Sequence, residues 1–115
     1  MKATEVLNWD VLAEATIPST GGAVLRRFFS GERLTMARVT FEAGAAIAEH
    51  VHENEQMTLV LSGRMEFLVA GKATSVSAGE VIYLPANVPH AARAIDASVL
   101  MDVFSPPRAD WAAER

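Results

Sequence analysis

The sequence predicts an all-β fold, an antiparallel sandwich or barrel of short strands. Glycines stand at Gly44, Gly63, Gly71 and Gly79, and seven residues separate each of the last three, about the length of one strand. The runs between these turns are apolar and loosely alternating, as in a pleated strand with one face covered. No amphipathic helix lies between them, which leaves no place for the crossovers of a parallel sheet.

Near the start, Asn8 to Leu12 reads as a short turn or strand, and Pro18 to Gly22 as a loop. Leu34 to Phe41 reads as a strand that stops at the turn signal Glu42-Ala43-Gly44. Gln56 to Leu61 is a second strand, closed by Ser62-Gly63. Met65 to Val69 and Thr74 to Ser77 flank Ala70-Gly71-Lys72, a tight hairpin. Val81 to Leu84 precedes the turn Pro85-Ala86-Asn87-Val88-Pro89; Ala91 to Ile95 and Ser98 to Phe104 follow. Pro106 and Pro107 end strand pairing by removing two backbone donors. Asp110 to Arg115 is expected to form one helical turn capped by Asp110.

At 115 residues, 50% of them hydrophobic and 21% charged, the chain is expected to form a single domain with a real core. Residues 1–22 are read as an N-terminal extension of it. With no cysteine, disulfides and thiolate metal sites are excluded. A net charge of −4 without a basic cluster argues against nucleic acid, and no apolar run is long enough to span a membrane. No secretory pattern opens the sequence, so a soluble, cytoplasmic protein is expected.

Chemistry concentrates at the three histidines, His50, His52 and His90. Residues two apart on a strand share a face, so His50 and His52 can converge on one cation, joined by Gln56 if the strand stays regular. A one-residue bulge would turn Glu55 inward instead. His90 arrives 38 residues after His52, behind the proline turn. The alternative is that these imidazoles only fill a barrel.

Two segments carry a family pattern. The first, residues 44–63, runs Gly44, His50-x-His52, Gln56, Gly63; the second, residues 79–90, runs Gly79, Pro85-x-Asn87, His90. These resemble the paired motifs of the cupin superfamily, and the 15 residues between Gly63 and Gly79 resemble its compact microbial members. The resemblance implies a double-stranded β-helix (jelly-roll) barrel. Asn87 stands where the family has glycine, a mild departure because asparagine tolerates positive φ. Gln56 stands where most cupins have a glutamate ligand. The implied ligands are His50, His52, Gln56 and His90 around one divalent transition metal: Zn, Ni, Fe, Mn or Cu.

Asp102, midway along an apolar strand, costs desolvation unless it acts or is paired, with Arg93 or Arg38 as structural partners. Asp102 and Phe104 share parity. Arg108, beyond two stiff prolines, is placed to lie over the barrel mouth, where its fork suits a carboxylate. His-x-His-x-x-x-Gln together with Asp102-Val-Phe-Ser-Pro-Pro-Arg108 is similar to the pectin-degradation cupins that open unsaturated uronates. That likeness implies further active-site residues at Asp102, Phe104 and Arg108; the ring-opening chemistry suits Asp102 as acid/base, Arg108 as carboxylate partner and Phe104 as apolar wall, with Tyr83 and Gln56 as secondary donors to the substrate. The implied partner is a small anionic sugar. A metal-dependent dioxygenase and a non-catalytic sugar-binding cupin are the competing readings. Met57, Leu59 and Leu61 make their strand apolar on its second face as well, which predicts a homodimer.

Overall fold

The computed structural model describes residues 3–112. A 3-10 turn at Trp9–Val11 leads into ten strands: β1 (Ala15–Ile17), β2 (Val24–Ser30), β3 (Thr35–Phe41), β4 (Ala46–His50), β5 (Glu55–Ser62), β6 (Arg64–Val69), β7 (Lys72–Ser77), β8 (Val81–Leu84), β9 (His90–Ala94) and β10 (Ser98–Ser105). One helical turn, α1 (Ala109–Ala112), follows. All pairings are antiparallel: one sheet runs β1-β2-β3-β10-β5-β8 and the other β4-β9-β6-β7. Two stacked antiparallel sheets of this order make the jelly roll.

Strand parity decides which residues meet between the sheets. β10 is buried at Ser98, Leu100, Asp102 and Phe104 and only half-buried at Val99, Met101 and Val103. β3 alternates likewise, with Ala37, Val39 and Phe41 inward. With Val24 and Val60 from the large sheet and Met65 and Phe67 from the small one, they form the core. Each fully buried aliphatic or aromatic side chain contributes about 1.5–3 kcal/mol to burying that interior.

The turns follow their residues. Ala70 (φ 50°) and Gly71 (φ 81°) both adopt the left-handed region that a two-residue hairpin demands, joining β6 to β7. Gly63 is required twice over: its φ is 87°, and a Cβ there would collide with the Ala97 carbonyl oxygen. Asn87 takes φ 60°.

Three elements were not legible. β2 had no sequence assignment, β4 entered only through its last residue, in the strand expected to carry His50, His52 and Gln56, and β1 comes from the stretch read as an extension; it pairs with β2 at the sheet edge. The helical turn begins at Ala109, so Asp110 sits inside its first turn rather than capping it. The expected continuation over 113–115 lies outside the described residues. No helix among the described residues is long and apolar enough to cross a membrane.

Candidate metal centre

The site forms where β4 gives way to β5. The sequence suggested one regular strand carrying His50, His52 and Gln56. Instead β4 ends at His50 with a register shift after Ile47, residues 51–54 leave the sheet, and β5 starts at Glu55. The irregularity places His52 beside His50, while β9 sets His90 directly opposite His50. The imidazole ligand atoms of all three lie within 4.8 Å of one another. Gln56 is buried with its Oε1 3.2 Å from His52 Nε2, whereas Glu55 points outward and is exposed.

Hydrogen bonding fixes what the cluster offers. Each ring has its Nδ1 2.9 Å from a backbone carbonyl: His50 at Ala48, His52 at Asn54, His90 at Val88. A carbonyl only accepts, so Nδ1 is the donor on each ring, and in the neutral form Nε2 is left as the acceptor. Burial pulls the His90 pKa down to about 4 and lowers that of His52 as well, so both rings are neutral at pH 7. The Nε2 atoms of three imidazoles and the Gln56 carbonyl oxygen therefore converge on one point. That donor set fits a divalent transition ion, which those four residues would hold, and carbonyl-bound Nδ1 atoms are the usual support for such ligands.

Asp102 stands deeper. Its partner is neither Arg93, which pairs with Glu66, nor Arg38, which faces outward opposite Met101. Thr58 Oγ1 donates to Asp102 Oδ1 at 2.6 Å, and Gln56 Nε2 donates to Thr58 Oγ1 at 2.9 Å. Burial pushes the Asp102 carboxyl up to about 6, against the lowering effects of Thr58 and Arg108.

Arg108 lines the cavity with its guanidinium over Phe104 (4.7 Å) and Trp111 (4.2 Å). Asp110 holds the fork through Nε at 3.0 Å and Nη2 at 2.9 Å. The buried Asn54 ties the histidine loop to this segment, donating through Nδ2 to the Pro106 carbonyl and, at 3.3 Å, to that of Pro107.

The cavity measures about 380 Å³. Glu49, His50, Gln56, His90, Asp102, Arg108 and Asp110 are its polar lining; Val39, Phe41, Phe67, Leu100, Phe104 and Trp111 are among its apolar lining. Tyr83, expected as a substrate contact, is not there. On β8 the inward positions are Ile82 and Leu84, so Tyr83 faces out and is 50% exposed. Sequence reasoning missed several contributors. Ile17 and Pro18 close one wall from the presumed extension, and Trp111 packs between Arg26 (4.4 Å) and Arg108. Thr58 carried a signal, a hydroxyl with the same parity as Gln56, whereas nothing local marks Ile17 or Trp111.

With this geometry in hand, the match to known proteins is direct. The cupin domain model aligns with residues 37–104, more than half of the chain. The chain belongs to the cupin family. Among curated relatives, an uncharacterised protein of Streptomyces coelicolor is 33% identical over 96 residues, covering 82% of this chain and 90% of that protein. The pectin degradation protein KdgF of Dickeya dadantii is 30% identical over 94 residues, covering 79% and 86%. Among solved structures, KdgF from a Halomonas species superposes with a TM-score of 0.80 at 26% identity, covering 96% and 99%. An RmlC-like cupin from Shewanella frigidimarina shares the fold at a TM-score of 0.82, with 24% identity and coverage of 95% and 96%.

Proposed function

We propose that this cupin binds one divalent transition metal ion through His50, His52, Gln56 and His90 and opens the ring of 4,5-unsaturated monouronates, linearising them. The carrying observation is a buried carboxyl, Asp102, with its pKa raised to about 6, in the same cavity as the imidazole cluster. Similarity to the KdgF proteins, named for pectin degradation, supports the substrate class.

The substrate is a cyclic hemiacetal with an enol ether and a carboxylate. Linearisation removes the proton of the anomeric hydroxyl, breaks the bond from the anomeric carbon to the ring oxygen, and leaves an aldehyde and an enolate. A proton delivered to C4 then gives the ketone, so the net change is an isomerisation. Asp102 takes the first proton and returns one to carbon, a task suited to a carboxyl whose pKa lies near the working pH. Arg108 pairs with the substrate carboxylate, and Phe104 excludes water beside it. A bound divalent ion would supply Lewis-acid stabilisation of charge developing on oxygen. The test is ultraviolet loss of the conjugated double bond when the metal-loaded protein meets a lyase-made monouronate. Unchanged absorbance with every plausible ion refutes the reaction.

The apolar walls favour one competing reading, a metal-dependent dioxygenase acting on an aromatic or diketone substrate. Oxygen consumption with such compounds would select it. Ligand binding without turnover would select a sugar-binding cupin.

A homodimer completes the proposal. Across the outer face of the large sheet, Phe29, Met36, Val103, Met57 and Tyr83 are successive cross-strand neighbours. Met101, Leu59 and Val81 form the next row. Met57, Val81 and Tyr83 are each at least half exposed, and a contiguous apolar patch of this kind is rarely left facing water.

A further inference from the structure

We infer that Thr58 is a positioning residue that fixes which end of the Gln56 amide faces the three imidazoles. The inference rests on the metal-binding part of the proposal above and on no particular substrate. Thr58 lies on β5, fully buried between Gln56 and Asp102. A hydroxyl has one proton to give, and at 2.6 Å from a carboxylate oxygen that proton belongs to Asp102. Whatever residue 56 presents to Thr58 must therefore be a donor. In an amide only the nitrogen qualifies, so Oε1 is left for the imidazole side.

There the oxygen stands 3.2 Å from His52 Nε2, which in the neutral ring that donates Nδ1–H to the Asn54 carbonyl is an acceptor too. Two acceptors this close are favourable only with a cation to share. Freed of Thr58, the amide gains a hydrogen bond by turning round, since its nitrogen would then donate to His52 Nε2 and occupy that lone pair. The directed chain Gln56 to Thr58 to Asp102 thus keeps the centre acceptor-only. It also accounts for an amide at position 56: a glutamate there would set a second acceptor against a hydroxyl whose proton is already committed.

The test is a double-mutant cycle read as Ni²⁺ and Zn²⁺ affinity by titration calorimetry on the full chain. Thr58→Val keeps the shape and removes the hydroxyl; it is expected to weaken binding about 10–100-fold, as loss of a ligand's supporting partner does. Thr58→Ser should return affinity close to that of the parent. In the Gln56→Glu background the same Thr58→Val change should cost little, because a carboxylate has no wrong end. An equal loss in both backgrounds overturns the inference, as does unchanged affinity in Thr58→Val or a parent chain that binds neither ion. Should Thr58→Val fail to fold by circular dichroism, Thr58→Ala takes its place under the same criteria. Uronate turnover enters none of these readouts, so a protein that binds metal but leaves uronates intact refutes the reaction and leaves the role of Thr58 standing.

Discussion

Arg108 and Asp110 form a two-pronged ion pair at 3.0 and 2.9 Å, so the only guanidinium lining the cavity, among the described residues, already holds a carboxylate. Asp110 is 63% exposed, and contact with Arg108 keeps its pKa below the ordinary carboxylate range. On the proposed reading, a substrate carboxylate displaces it. Exposed pairs contribute about 0.2–1 kcal/mol, so Asp110→Asn should lower KM for the monouronate roughly 1.5- to 5-fold with kcat unchanged. Arg108→Lys keeps the charge but loses the fork and should raise KM by about tenfold or more. Steady-state kinetics on both variants checks the pair; an unchanged KM in Arg108→Lys would remove Arg108 from carboxylate recognition.

The raised pKa of Asp102 sets a pH dependence. In its proposed role as base Asp102 must be ionised, so kcat/KM should climb with pH along a limb centred near 6 and level off above it. Asp102→Asn should abolish that limb and lose about 10²–10⁴ in rate while retaining metal. Rate profiles from pH 4.5 to 8, with metal content measured on each preparation, decide this. A surviving limb in the variant would assign the ionisation elsewhere.

The same burial carries a stability consequence. The folded carboxyl holds its proton to about pH 6, against 3.8 for an unperturbed one, so between these values the folded chain binds more protons than the unfolded chain. Stability from this group is present below about pH 4 and lost as pH rises through 6. Above that, the buried charge costs on the order of 3 kcal/mol. Asp102→Asn, whose amide oxygen can still accept from Thr58, should make the metal-free protein more stable at pH 7.5 and nearly unchanged at pH 3.5. Denaturant melts at the two pH values give the comparison, and equal shifts at both would contradict it.

Legibility in the sequence followed the range of the interaction. His50, His52 and Gln56 could be read because strand parity is local, and the turn residues Gly63, Gly71 and Asn87 because positive φ is a property of the residue itself. Parity was the right instrument on the wrong object, since the strand is interrupted at residues 51–54 and these side chains are gathered by a bulge and a loop. Tyr83 failed for the same reason in reverse: β8 is regular, and its own alternation turns the ring outward. Thr58, Ile17 and Trp111 depend on β10, the sheet edge and the C-terminal turn closing on one cavity. Sequence spacing does not encode those meetings.

The outer face of the large sheet gives the last expectation. Met57 lies between Val103 and Tyr83 in the middle of an apolar row and is 51% exposed. A charge placed there stays solvated in a free monomer but is desolvated without a partner when a second copy covers the sheet. Met57→Glu should therefore shift the species seen by light scattering at micromolar concentration from dimer to monomer. It should leave the far-ultraviolet circular dichroism unchanged, because its side chain points away from the core. The cavity opens between the sheets rather than on this face, so metal affinity should hold in the variant. A monomeric mass for the parent chain would contradict the dimer outright.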